Sequence, residues 1–156
     1  MNNIINETID FDIKLGKPLA SNLIYEDCLK LIIDIGNQLE KLNKKSYGLL
    51  YIQKSDILQY NNNYSLKPNL DYFTTANNEL LINRPFNYNN TMSPELKNIT
   101  EIPAIVSYNV CFFNLKQVAM DIIGLEEFDQ LNPTKLYFLL KRCSNKDSSQ
   151  RVFFYI

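Results

Sequence analysis

Histidine is absent from all 156 residues, and that absence removes more chemistry than any other feature of the chain. Serine and cysteine nucleophiles paired with an imidazole base need it, and so do nearly all zinc-enzyme ligand sets. Glycine is scarce. The four present, Gly16, Gly36, Gly48 and Gly124, cannot form a P-loop or a GxGxxG phosphate cradle. Cysteine is limited to Cys28, Cys111 and Cys143, an odd number in helical patterns without CxxC spacing. This fits buried thiols in a reducing compartment better than a disulfide framework or thiolate chemistry. Charge of neither sign dominates: the net charge is -1 and the pI about 5.5, so nothing favours nucleic acid as a partner. The amino terminus lacks a basic region followed by a long apolar run, and no segment approaches about 18 uninterrupted apolar residues. Neither secretion nor membrane binding is expected, and the expected location is intracellular, in the cytoplasm.

What is present is the composition of a folded domain, 46% hydrophobic and 21% charged. A chain of this size buries roughly two thirds of its unfolded surface, which suits one core. Residues 107–124, SYNVCFFNLKQVAMDIIG, carry apolar side chains around most of a helical circumference, which places that segment inside the protein. Ser107 reads as its N-cap and Gly124 as its stop, giving one buried central helix of about five turns. Another helix is predicted over about 22–42, where Ile24, Cys28, Leu31, Ile32, Ile35, Leu39 and Leu42 share one stripe. Glu26 and Asp27 at its start and Lys41, Lys44 and Lys45 at its end suit the macrodipole, so the basic cluster reads as a helix terminus. Gly36 marks a place for close contact with another helix.

Elsewhere the predicted elements are short. Ile9, Phe11 and Ile13 alternate with Asp10 and Asp12, which predicts a half-buried strand. Its Asp-x-Asp spacing reads as a solvated face, since a hard cation wants six or more oxygens. Segments 49–52, 57–60, 64–66 and 80–82 are read as strands in small hairpins, with Asn61, Asn62 and Asn63 forming a turn. Residues 83–103 lose periodicity at Pro85, Pro94 and Pro103, and Ser93-Pro94-Glu95 starts a short helix near 94–98. A last helix is predicted over about 133–145, preceded by Glu126, Glu127 and Asp129 as solvated charge. The apolar tail VFFYI is expected to pack down on the domain. The expected fold class is mainly α with short β hairpins, in a single domain. An N-terminal strand and turn occupy 1–20 and a helical domain occupies 21–156.

Met92-Ser93-Pro94-Glu95-Leu96 is similar to the Ala-Pro-Glu segment of protein kinases. Ser107-Tyr108-Asn109-Val110-Cys111 is similar to the Tyr-Asp-Val-Trp that opens their long central helix, and residues 140–151, LKRCSNKDSSQR, to their late Cys-Leu, Asp-Pro, Arg signature. In that order and spacing, residues 23–156 resemble the C-terminal lobe of the protein kinase superfamily. The resemblance implies an ion pair between Glu95 and Arg151, with Pro94 and Asn109 at motif positions. It also implies missing chemistry. With residues 53–58, QKSDIL, in place of Lys-Pro-Glu-Asn-Ile-Leu, Tyr51 occupies the position of the catalytic base. Asp56 replaces the metal-binding asparagine and is a candidate cation ligand. Asn69-Leu70-Asp71 stands for Asp-Phe-Gly, which puts Asn69 where the metal-holding aspartate belongs. A first long helix starting about twenty residues in leaves no room for the small lobe, whose Gly-rich loop and lysine phosphoryl transfer requires.

The expected function is accordingly that of a pseudokinase-like module, not an enzyme and without a cofactor, that binds another protein in a regulatory role. Its binding surface would be the one that faces the small lobe in a kinase, lined by the amino-terminal strand, the first long helix and the 49–67 hairpins. Two alternatives stay open. One is half of a split phosphotransferase, or a residual nucleotide or metal binder, built on Asp56, Asn69 and Asp71. The other is a structural or host-interaction protein of unrelated helical fold, in which Glu95 and Arg151 lie far apart.

Overall fold

A computed structural model describes residues 1–19, 22–151 and 153. The chain opens with α1 (Asn2–Asn6), a 3-10 turn at Ile13–Leu15 and β1 (Lys17–Pro18). The longest helix, α2 (Tyr25–Lys44), leads to β2 (Tyr47–Gly48), a 3-10 turn at Lys54–Asp56 and the hairpin of β3 (Ile57–Tyr60) and β4 (Asn63–Leu66). There follow β5 (Phe73–Ala76), β6 (Glu79–Ile82), α3 (Pro94–Lys97) and β7 (Ala104–Ser107). A 3-10 helix at Tyr108–Asn114 runs into α4 (Leu115–Ile123), and α5 (Lys135–Cys143) precedes a last 3-10 turn at Ser148–Gln150.

The expectation of a mainly α protein is overturned. The structure is 45% helix and 16% strand, a mixed α/β fold with two antiparallel sheets, β1-β3-β4 and β2-β5-β6-β7. The physical reason lies in the length of the strands. The strand read at 80–82 is β6, but its partner β5 alternates buried and exposed residues over only four positions, too short a run to register as a period in the sequence. Asn77 and Asn78 join them with φ of 53° and 62°, the left-handed pair that closes a two-residue hairpin. β1 and β7 are strands because β3 and β6 offer them an edge, which is tertiary context and not local propensity.

Two other predicted strands are absent. At 9–13 the chain bends instead: Asn6 Oδ1 accepts the Ile13 N–H at 2.7 Å, and Asp12 caps the following turn through the Lys14 N–H at 3.0 Å. At 49–52, Leu49, Leu50 and Ile52 are all buried, a pattern that one-sided alternation does not produce. The 57–60 and 64–66 segments do pair, in the register Ile57↔Leu66 to Tyr60↔Asn63, around Asn61 at φ 53°.

The segment at 107–124 lies inside the molecule, but it is not one α-helix. Ser107 ends β7, the seven residues Tyr108–Asn114 wind as a 3-10 helix and only Leu115–Ile123 is α-helical, ending at Gly124 with φ 84°. Aromatic anchors occupy the tighter portion. Tyr108 donates its hydroxyl to Glu40 of α2 at 2.8 Å, and the Phe112 ring stacks on Phe153 with centroids 5.6 Å apart. The main core joins α2, α4 and α5 through Leu31, Ile32, Ile35, Leu115, Ile122 and Leu139. A smaller cluster, with Leu50, Phe73, Leu80, Ile82, Leu96 and Val110, lies under the four-stranded sheet.

The amino-terminal arm folds back on α2 and β4. Ile5 and Ile13 are buried, and Gln38 donates through Nε2 to Thr8 Oγ1 at 2.9 Å and to Ser65 Oγ at 3.1 Å while its Oε1 accepts the Leu66 N–H at 2.7 Å. At the other end, Phe153 is buried; residues 152 and 154–156 of the predicted packed tail lie outside the described residues.

Candidate functional site

Glu95 sits in the first turn of α3, where Pro94 occupies the first helical position and leaves no N–H wanting a partner. Arg151 approaches it from the last described stretch of the chain. Its guanidinium donates from one nitrogen to Glu95 Oε1 at 2.6 Å and from the other to Oε2 at 2.9 Å, a bidentate pair. Its Nε donates to the carbonyl of Asn145 at 2.8 Å, and a terminal nitrogen donates to that of Lys146 at 3.2 Å. The Ser93 hydroxyl also donates to Glu95. One fully buried side chain thus joins α3, the exit of α5 and the tail. Burial pushes the Glu95 carboxyl up, but the Arg151 and Ser93 hydrogen bonds more than offset it and hold the group below its ordinary value.

A cleft of about 400 Å³ opens on the adjoining side of the molecule, lined among others by Tyr51, Gln53, Asp56, Asp71, Phe86 and Met92. Its floor, 49–53, is held by a residue that sequence reasoning missed. Asn114, at the start of α4, donates Nδ2 to the Ile52 carbonyl and accepts the Ile52 N–H on Oδ1 at 3.3 Å. A buried asparagine within an otherwise apolar helical run was the available signal.

The cleft brings together three of the positions singled out from the sequence. Tyr51 packs half-buried on the smaller apolar cluster. Asp56 closes its own 3-10 turn, with Oδ2 accepting the Gln53 N–H at 2.9 Å, and burial raises its carboxyl despite that bond. Asp71 turns to Arg84, which donates to Oδ1 at 2.5 Å and lies over the Phe73 ring. Asn69 is not among them, since it occupies an exposed turn outside the cleft lining. Asn109 lies elsewhere, buried against the carbonyl of Ser148.

No protein-family model matches this chain. A search of curated proteins likewise returns no significant match. These results leave the kinase resemblance resting on the residues themselves.

The remaining chemistry is sparse. Cys28, Cys111 and Cys143 are all buried and free, and burial pushes each thiol up to about 12, where the thiolate is not formed at neutral pH. Among the described residues no group of three or more Cys, Asp or Glu is placed to hold a metal ion. No described helix is long and apolar enough to cross a membrane.

Proposed function

We propose that this chain is a non-catalytic module resembling a protein kinase C-terminal lobe, which acts inside the cell by binding another protein through the face that carries the cleft. The observation that carries the reading is the use made of the three cleft positions. A tyrosine stands at the position of the base, Asp56 caps a turn, and Asp71 is taken up by an arginine. The order of elements and the Glu95–Arg151 clasp support the kinase part of the reading. A cleft that mixes apolar and aromatic side chains, Leu49, Leu50, Phe73 and Phe86 among them, with two carboxylates already engaged by a turn and by Arg84 is a place for side chains of a partner more than for phosphoryl transfer.

Titration calorimetry with ATP and Mg²⁺, followed by a phosphate-transfer assay, tests the first half: no heat and no transfer are expected. Binding heat would favour the second reading, a residual nucleotide or metal binder, which draws on Asp56 and Asp71 lining one cavity. For the other half, a photo-crosslinker at position 86 on the cleft should give a discrete protein adduct in lysate. The same probe at position 138, exposed on α5, serves as the control. Failure at 86 would sink the binding face.

A further inference from the structure

The four-stranded sheet ends on β7, and no strand pairs with its outer edge among the described residues. Which groups face outward follows from the register. Leu80↔Val106 and Ile82↔Ala104 are paired, and the Tyr108 N–H donates to Asn78 at 3.0 Å in the same ladder. Hydrogen-bonded and non-hydrogen-bonded pairs alternate in an antiparallel ladder. Ala104 and Val106 therefore bond β6, while the N–H and C=O of Ile105 and the N–H of Ser107 point away from the sheet. Natural edges are usually blunted by charge, proline or a bulge. This one carries no charge, and Pro103 precedes it at one end only. Ile105 itself is 62% exposed.

A groove of about 510 Å³ adjoins β7 at Ile105, Val106 and Ser107, and is lined besides by Asn77, Asn78 and Glu79 of the neighbouring hairpin and by Ser148, Ser149 and Arg151. Asn109 forms part of its wall and is more than nine-tenths buried. Its Nδ2 donates to the Ser148 carbonyl at 2.9 Å, which fixes the amide orientation, because the flipped amide would set two oxygens together. Its Oδ1 is then the one buried side-chain polar atom without a hydrogen-bond partner among the described residues. A buried acceptor left that way calls for a donor.

We infer that the edge of β7 is a docking site for an extended segment of a partner polypeptide, which adds as a fifth strand and gives Asn109 Oδ1 the donor it lacks. Side chains of the incoming strand alternate in direction. One set, apolar, covers Ile105; the other supplies an uncharged donor such as Asn, Gln, Ser or Thr to Asn109. Acidic side chains are disfavoured there, since Glu79 lines the same groove and the Arg151 guanidinium, its side chain 0% exposed, is already held by Glu95. The inference deepens the protein-binding part of the proposed function and rests on that part alone. It does not depend on the cleft or on the kinase resemblance.

The test uses the full chain. A phage-displayed library of random ten-residue peptides is selected on it, and the selected peptides are synthesised and titrated. Alternating apolar and uncharged polar sequences are expected. Ile105→Pro should weaken them at least tenfold, because proline removes the outward N–H and no ladder bond. If that variant does not fold, N-methylation of the peptide amides on the native protein asks the same question, with tenfold losses expected at alternate positions only. Amide exchange at Ile105 and Ser107 should slow when peptide binds. The site is overturned if no peptide is selected or if affinities ignore both edits. Slowing of Ile105 exchange with protein concentration alone also overturns it, by giving the edge to a second copy. Peptides that lose affinity for Tyr51→Ala/Phe86→Ala but not for Ile105→Pro overturn the edge and leave the cleft reading standing. Loss of the position-86 adduct with peptide binding intact does the reverse.

Discussion

Arg151 and Arg84 each grip a carboxylate in a short bidentate or forked contact, yet they stand in opposite environments. The side chains of Arg151 and Glu95 are 0% and 27% exposed, whereas those of Arg84 and Asp71 are 40% and 72% exposed. Arg151 also donates to the carbonyls of Asn145 and Lys146, so removing the residue would strand several groups at once. Arg84 donates to the Tyr72 carbonyl at 2.7 Å and sits 3.7 Å from the Phe73 ring centroid, and these contacts do not depend on Asp71. The same pair chemistry is a structural clasp in one place and a solvated contact in the other. Burial, not the distance between the charges, makes the difference.

The comparison is easiest to break at the buried end. Glu95→Ala leaves a guanidinium with no exposure and no counter-charge, and Arg151→Ala leaves the Glu95 carboxylate without its counter-charge, with Ser93 as its remaining side-chain donor, and takes a donor from two carbonyls. Each should cost on the order of 3–5 kcal/mol in urea denaturation. The double variant should cost far less than the sum, because the second change removes a group already stranded by the first. Mild, additive losses would show the clasp to be a surface pair after all. Acid titration sharpens the same point. Glu95 titrates below its ordinary value of 4.5, so its contribution is fully present above that pH and is lost as pH falls through the lowered value. The stability gap between native protein and Arg151→Ala should therefore be widest near neutrality and narrow below about pH 4.5. Asp34 and Glu40, which burial raises, act in the opposite sense, but they titrate in both proteins and cancel in the gap.

Between the extremes lie two positions in α2. A methyl group at Gly36 would overlap the Phe153 ring, so Gly36→Ala should destabilise by about 1–3 kcal/mol through overpacking. On an exposed helix face the same change would be favourable by up to about 1 kcal/mol. Gln38→Ala should lose about 1–3 kcal/mol, since it leaves the Leu66 N–H buried without its acceptor. It should also release the amino-terminal arm, seen as faster amide exchange at Thr8. Unchanged exchange there would mean that Ile5 and Ile13 hold the arm unaided.

These positions also mark how far the sequence could be read. The stripe of α2 was legible because apolar side chains repeat at helical spacing from Cys28 to Leu42; Ile24, read as its first member, is instead the N-cap and 64% exposed. Gly36 stood out within the stripe as a site of contact with another helix. That its neighbour is a ring from residue 153 was not legible, since nothing local couples residues so far apart. β1 and β7 escaped notice for a related reason: two to four residues become a strand only when an edge is offered to them. The cleft was half visible. Tyr51, Asp56 and Asp71 were singled out and do line it, but Asn114, which fixes its floor, reads in the sequence as one polar residue in an apolar run. Asn69, chosen by alignment alone, stays outside.

The exposed end of the comparison gives the smallest predicted effect and the most discriminating one. Asp71→Asn removes the carboxylate charge and keeps the shape, while the Tyr72 carbonyl and the Phe73 ring still hold Arg84 in place. The loss should be about 0–1 kcal/mol and should shrink further in high salt, as expected of screened, solvated charges. A loss above about 2 kcal/mol would place this pair with the buried one, and exposure would no longer explain the contrast. The same variant bears on function. If Asp71 serves only to occupy Arg84, Asp71→Asn leaves the position-86 adduct unchanged. If instead the carboxylate is kept for a cation, the variant abolishes any Mg²⁺-dependent nucleotide heat while barely moving stability, and that pattern would turn the cleft from a docking face into a remnant binding site.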